Sequence, residues 1–237
     1  SIASVEGSQT QASAGLVVAC TQSWEKLNHS DLLVLCGGEH IHDRVQKRLL
    51  AWLRKQAGGR TALGALCTAS YVLARAELLE GYRCTIHWEN FAGMREAFPN
   101  VIVSQEVFEI DRDRLTASGG TAPLDMMLNF ISSQHGGQLA SAISEAFICE
   151  RIRGRNDRQR VPLRLSLGTS QPKLVEAVSL MEANLEEPMS LDELAQHVKL
   201  SRRQLERLFQ KHLNCVPTRH YLELRLARAR QLLLQTS

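Results

Sequence analysis

The chain has 237 residues, 44% of them hydrophobic and 22% charged, with 28 Lys/Arg against 25 Asp/Glu. That composition excludes a disordered or fibrous chain, no apolar run nears the roughly 20 residues of a membrane span, and no charged-then-apolar leader opens it, so two globular domains in the cytoplasm are expected. The charge is uneven: residues 1–149 carry 12 Lys/Arg and 15 Asp/Glu, whereas residues 150–237 carry 16 and 10, which makes the second part the one suited to a polyanionic partner. Six cysteines, at 20, 36, 67, 84, 149 and 215, form no C-x-x-C pair and no cluster with histidine at metal spacing. Neither disulfides nor a metal site is expected, and no cofactor.

In chain order, residues 16–20 (Leu-Val-Val-Ala-Cys) and 31–36 are short apolar runs that read as strands, the second buried on both faces and followed by Gly37-Gly38. Between Asp43 and Gln56 the residues Val45, Leu49, Leu50 and Leu53 recur at helical spacing, closed by Gly58-Gly59. Residues 62–67 read as a strand, 68–79 as a helix, 84–87 as a strand, 91–98 as a helix ended by Pro99, and 101–103 as a strand. The stretch 107–117 alternates about Asp111-Arg112-Asp113 and reads as a hairpin. Ser118-Gly119-Gly120-Thr121 then leads into a helix with Leu124, Met127, Leu128 and Ile131, and a second helix covers 139–152. The alternation predicts an α/β fold with a parallel open sheet flanked by helices.

Ligands of such sheets bind beyond the carboxyl ends of the strands. Four features lie there and can line one pocket: Gly37-Gly38, Cys67-Thr68, His87-Trp88-Glu89 and Ser118 to Thr121. A cysteine at a helix N-terminus has its thiolate favoured by free N–H groups, a glycine pair can offer N–H groups to an oxyanion, and His87 is the nearby candidate base. The same residues also admit plainer roles, as a small buried hydrophobe, a structural histidine and ordinary turns. Catalysis, ligand binding without reaction, and pure structure all remain open on the residues alone.

Residues 150–164 hold six arginines and Pro162, and Gly168 to Pro172 follow; this reads as a linker, its arginines solvated or touching phosphate. Leu174, Val178, Met181 and Leu185 form a helical stripe. Ser190 can cap the next helix with Glu193 as its capping-box partner, and Ser201 can cap another after a turn at Lys199-Leu200. Leu191, Leu194, Ala195 and Val198 answer Leu205, Leu208 and Phe209 across that turn, as in a helix-turn-helix. The second helix presents Arg202, Arg203, Gln204, Glu206, Arg207, Gln210 and Lys211, a set able to read guanine, adenine and phosphate.

Two stretches carry a family resemblance. Gly64-Ala-Leu-Cys67-Thr-Ala, with Leu79-Glu-Gly-Tyr-Arg-Cys-Thr-Ile-His-Trp-Glu89, resembles the class I glutamine amidotransferase-like domain of AraC-type transcriptional regulators, a flavodoxin-like fold shared with cysteine hydrolases and intracellular-protease-like proteins. The enzymes use the elbow cysteine as nucleophile, whereas the regulators use the pocket as a sensor. Thr68 stands where protease-like members have histidine, and His87-Trp88-Glu89 is not placed like the distant His-x-Glu of amidotransferases. The resemblance also implies that the first strand and helix of the fold are missing before residue 1. Ser201 to Lys211, Pro217, Tyr221-Leu222 and Arg225 to Leu233 resemble the first helix-turn-helix of an AraC DNA-binding domain, with Tyr221 to Leu234 as its linking helix and no second unit, so weak operator binding is expected.

The organisation so implied is a sensing domain over 1–153, a linker over 154–171 and an all-α, truncated DNA-binding domain over 172–237. The implied function is that of a sequence-specific activator, not an enzyme, answering an amino-acid or quaternary-amine effector such as arginine, glycine betaine or a carnitine derivative. Its partners would be double-stranded promoter DNA, RNA polymerase and a second copy of itself, with no membrane. Effector contacts are assigned to Gly37, Gly38, Cys67, Thr68, His87, Trp88, Glu89, Ser118, Gly119 and Thr121, with Trp88 as a cation–π surface and Glu89 as counter-charge. DNA contacts are assigned to Arg202, Arg203, Gln204, Glu206, Arg207 and Lys211, with Arg203, Glu206 and Arg207 leading. The alternatives are a Cys67-dependent hydrolase or amidotransferase fused to a DNA-binding module, and a dimerisation scaffold with an empty pocket.

Overall fold

In the computed structural model, which describes residues 1–27, 30–159, 167 and 171–236, the chain divides into one unit over 1–159 and another over 160–237. Four small strands open the first unit. β1 (Ala3–Ser4) pairs in parallel with β4 (Gln22–Ser23), and β2 (Gln9–Gln11) pairs antiparallel with β3 (Val17–Ala19). The main sheet runs in the order β5 (Leu32–Cys36), β6 (Ala62–Leu66), β10 (Arg114–Ala117), β9 (Phe108–Asp111), parallel except for the β9–β10 hairpin. β7 (Arg83–Thr85) and β8 (Ile102–Ser104) form a separate parallel pair. The helices are α1 (Lys47–Ala57), α2 (Ser70–Arg75), α3 (Phe91–Ala97), α4 (Ala122–His135) and α5 (Gly137–Ala146). Leu53, Leu63, Leu73, Leu79 and Ile86 are fully enclosed in one apolar cluster, and Val107, Leu115, Ala117 and Met126 anchor a second.

Several expectations need correction. The apolar run at 16–20 is an exposed hairpin arm: Leu16 and Val17 are 70% and 62% exposed, because β3 pairs with β2 around a left-handed Gly15 instead of joining the main sheet. The run at 31–36 is not buried on both faces. β5 borders the main sheet, and Val34 and Cys36 are exposed. The expected 68–79 helix is a 3-10 turn over Cys67–Ala69 followed by the short α2, and Glu77, at φ +62°, turns the chain so that Leu79 enters the core. The 139–152 helix stops at Ala146, with Ile148 at φ +52° closing it. Beyond it, residues expected to start a solvated linker at 154 stay on the first unit: the Arg155 carbonyl accepts from the Val107 N–H at 3.3 Å, and Gln159 bonds into the sheet ends. The rest of that linker, 160–166 and 168–170 with Arg160 and Arg164, lies outside the described residues.

The second unit consists of α6 (Pro172–Ala183), α7 (Leu191–His197), α8 (Arg202–Leu213) and α9 (Pro217–Thr236) around Leu174, Val178, Met181, Leu194, Leu205 and Phe209. Both capping boxes form. Ser190 Oγ accepts from the Glu193 N–H (3.2 Å) while Glu193 Oε2 accepts from the Ser190 N–H (2.7 Å). Ser201 and Gln204 repeat the exchange at 3.3 and 2.8 Å. Between them Lys199 takes φ +56° and the Leu200 N–H reaches the Ala195 carbonyl (2.9 Å), so the four residues 198–201 form a turn fixed by the backbone. The Tyr221 hydroxyl donates to the Asn184 carbonyl (2.6 Å) and accepts from the Met189 N–H (3.2 Å), tying the α6–α7 loop to α9. Ser201→Ala removes one acceptor from the first turn of α8 and is expected to destabilise the second unit by about 1 kcal/mol. Urea unfolding followed by circular dichroism checks this; an unchanged midpoint would show that the cap is idle.

Candidate functional site

The sequence Leu66-Cys67-Thr68 makes a sharp elbow. Leu66 is still extended, Cys67 takes φ +62°, and the 3-10 turn begins at once. A left-handed non-glycine residue costs about 1–2 kcal/mol, so neighbours must hold it. They do so mainly through backbone: the Gly37 N–H donates to the Leu66 carbonyl (3.1 Å) and the His87 N–H to the Cys67 carbonyl (3.2 Å). Gly37 is required by closeness, since a Cβ there would lie 2.3 Å from the Ala69 nitrogen. Thr68 Oγ1 donates to the Gly38 carbonyl at 2.7 Å. Gly119 sits at φ +134°, and a Cβ there would be 3.2 Å from both Cys67 Sγ and His87 Cδ2.

The structure thus brings Gly37, Gly38, Cys67, Thr68, His87 and Gly119 together at the ends of β5, β6 and β10. Glu89 Oε2 lies 3.6 Å from His87 Nδ1, and the half-exposed Trp88 ring is tilted against His87 with centroids 5.6 Å apart. The other two expected pocket residues are engaged with the framework: Ser118 is buried with its N–H on the Val107 carbonyl (2.9 Å), and the Thr121 hydroxyl accepts from Arg153 Nη2 (2.8 Å). Among the described residues no group of three or more His, Cys, Asp or Glu side chains is arranged to hold a metal.

Electrostatics work against activation of the thiol. Burial pushes the Cys67 thiol above its ordinary value; a Thr68 N–H opposes this, and the Glu89 charge adds to it. Burial pushes His87 below the ordinary histidine value, with Glu89 opposing. Both directions oppose the thiolate–imidazolium pair that a cysteine nucleophile uses. The shift also has a stability consequence. Because folded His87, and His220 in the second unit, bind a proton less readily than the unfolded chain, the unfolded state takes up protons first as pH falls through about 6.5. Stability is therefore expected to drop between pH 7 and 5, and His87→Gln to remove the first unit's share. Urea midpoints across that range test it, and a flat profile would refute it.

A buried ionic framework was missed by pattern reading. Asp125 accepts from the Arg153 N–H and Nε, both at 2.8 Å, and Glu109 pairs with Arg83 (3.0 Å) and Arg155 (3.5 Å). Burial, with the Glu109 charge adding to it, pushes the Cys84 thiol up to about 12. The available signal was an excess of arginine at 151–155 next to acidic residues on otherwise apolar elements.

On α8, Arg203, Arg207 and Lys211 are exposed at four-residue spacing, opposite the buried Leu205 and Phe209. Among the described residues no ion pair or hydrogen bond engages these three side chains. The other candidates have partners: Arg202 pairs with Glu206 (3.2 Å) and Asp192 (3.7 Å), the Gln204 carboxamide oxygen serves the capping box, and Gln210 donates to Asn214 (3.2 Å).

Residues 1–133 match the DJ-1/PfpI family. The HTH-type transcriptional regulator GbdR of Pseudomonas aeruginosa is 56% identical over 234 residues, covering 99% of this chain and 64% of the relative. The HTH-type transcriptional regulator CdhR of the same species is 44% identical over 235 residues, covering 99% and 70%. The chain belongs to the DJ-1/PfpI family, on its transcriptional-regulator branch. A solved AraC family transcriptional regulator from Pseudomonas putida aligns with a TM-score of 0.53 at 31% identity, over 61% of this chain and 78% of that one. The chain spans about 64% of the length of GbdR. The elbow, the glycine contacts and the ends of β5, β6 and β10 all fall within the DJ-1/PfpI match, whereas α6 to α9 fall beyond it. No helix among the described residues is long and apolar enough to cross a membrane.

Proposed function

We propose that this chain is the sensing domain and a DNA-reading unit of an AraC-type regulator whose DJ-1/PfpI pocket binds an effector without transforming it. The observation that carries this reading is the capped helix-turn-helix whose second helix presents Arg203, Arg207 and Lys211, and the burial that raises the Cys67 thiol favours binding without reaction. The effector class is a small amino acid or quaternary amine, held at Cys67, His87 and Gly119, with the Trp88 face and the Glu89 carboxylate receiving its cationic end. Occupancy favours a DNA-bound homodimer that recruits RNA polymerase in the cytoplasm and activates transcription.

A thermal-shift screen with L-arginine, glycine betaine and L-carnitine tests the pocket. A bound effector raises the melting temperature in a concentration-dependent way, and no shift with any of them would remove this effector class. Cys67→Ala separates sensing from catalysis. Effector-dependent expression of a promoter reporter is expected to persist, with at most a several-fold change in the effector concentration required. Complete loss in a folded variant would favour the hydrolase reading.

A further inference from the structure

Residues 151–159 run back across the first unit and fasten to both loops that border the pocket. Arg153 donates from Nη2 to Thr121 Oγ1, and from Nε and its N–H to the two Asp125 oxygens, all at 2.8 Å. The Arg155 carbonyl takes the Val107 N–H, and the Val107 carbonyl takes the N–H of Ser118. At the far end Gln159 Nε2 lies 2.9 Å from Thr85 Oγ1, 3.1 Å from the Ile86 carbonyl and 2.9 Å from the Glu106 carbonyl. Ile86 directly precedes His87. An ion pair of Arg151 with Asp157, and the Gly154 N–H on the same carboxylate (2.8 Å), close the middle of the segment into a loop.

We propose that residues 151–159 act as a strap coupling occupancy of the pocket to the chain segment that leads into the second unit. Three features support it. The strap holds the 118–121 loop at one point and the 86–89 loop at another, so a ligand that shifts either loop strains the same element. Its described residues contribute no buried apolar side chain, so it can loosen without opening the core. The next residue in the chain, 160, begins the second unit. Because coupling is reciprocal, a change in the strap must alter the pocket loops as an occupant would alter the strap. The proposal rests on the sensor reading only for what drives the strap.

Hydrogen–deuterium exchange of the whole chain tests it with two variants. Gln159→Ala is expected to speed exchange roughly tenfold in 86–90 and also in 118–122, the loop it does not touch. Arg153→Lys is expected to do the converse, while β6 and α8 exchange as in the wild type. Acceleration confined to 151–159, or to the loop each residue bonds directly, would overturn the strap. So would faster exchange of β6 in both variants, which would place these residues in the core fold. Absence of any thermal shift with L-arginine, glycine betaine and L-carnitine, with the cross-loop acceleration intact, would instead count against the effector reading and leave the strap standing.

Discussion

Replacing Arg203 and Arg207 together by alanine is expected to weaken binding to the promoter duplex by roughly a hundredfold or more. Each bidentate arginine–guanine contact discriminates by about 1–3 kcal/mol, and the two arginines proposed to make such contacts lie one helical turn apart on the exposed face of α8. Their neighbours supply internal controls. Arg202 is held by Glu206 and Asp192 within its own unit, so Arg202→Ala should cost far less. Lys211, exposed on the same face, is the proposed phosphate contact; Lys211→Ala should weaken all sequences alike and reduce the salt dependence by about one counterion. Fluorescence anisotropy at fixed salt, on promoter and scrambled duplexes, measures all three. A double variant that binds within threefold of the wild type would take base reading away from this helix.

Gly37→Ala is expected to be the most damaging single methyl group in the first unit. The added Cβ would stand 2.3 Å from the Ala69 nitrogen, 2.5 Å from Thr68 Oγ1 and 2.9 Å from the Thr68 carbonyl carbon. Two of those atoms are backbone, so no rotamer change relieves the clash, and β5 must part from the turn that carries Cys67. Overpacking of this kind costs about 3 kcal/mol, enough to lower the melting temperature of a unit this size by roughly 10 °C. Gly38→Ala meets only the flexible Ser13 hydroxyl at 2.5 Å and serves as the comparison. Equal melting temperatures for the two variants would mean that the elbow yields more readily than its packing indicates.

The contrast between the two units explains which features could be read from residues alone. The capped helices of the second unit rest on contacts three to five residues apart, Ser190 with Glu193 and Ser201 with Gln204, and these are written in local spacing. The β9–β10 hairpin and the strand before Cys67 were legible for the same reason. The fate of Leu16 and Val17 was not, because apolarity signals a strand without saying which sheet receives it or whether anything covers it. Strand-end position anticipated that several candidate residues would lie together, but not how each is engaged: the hydroxyl of Thr121 is occupied by Arg153, 32 residues away. Gln159 reaches Ile86 across 73 residues. No periodicity encodes a contact of that range, and arginine-rich composition there suggested solvent when the chain in fact docks.

The backbone tie between the His87 N–H and the Cys67 carbonyl, with the Gly37 N–H on the Leu66 carbonyl, gives the elbow its shape without using the thiol. Form and reactivity are therefore separable at this position. A variant can exchange the sulfur for another small group and keep the main-chain outline of the elbow. What the elbow keeps when residue 67 changes is set by these amide hydrogens and not by the sulfur.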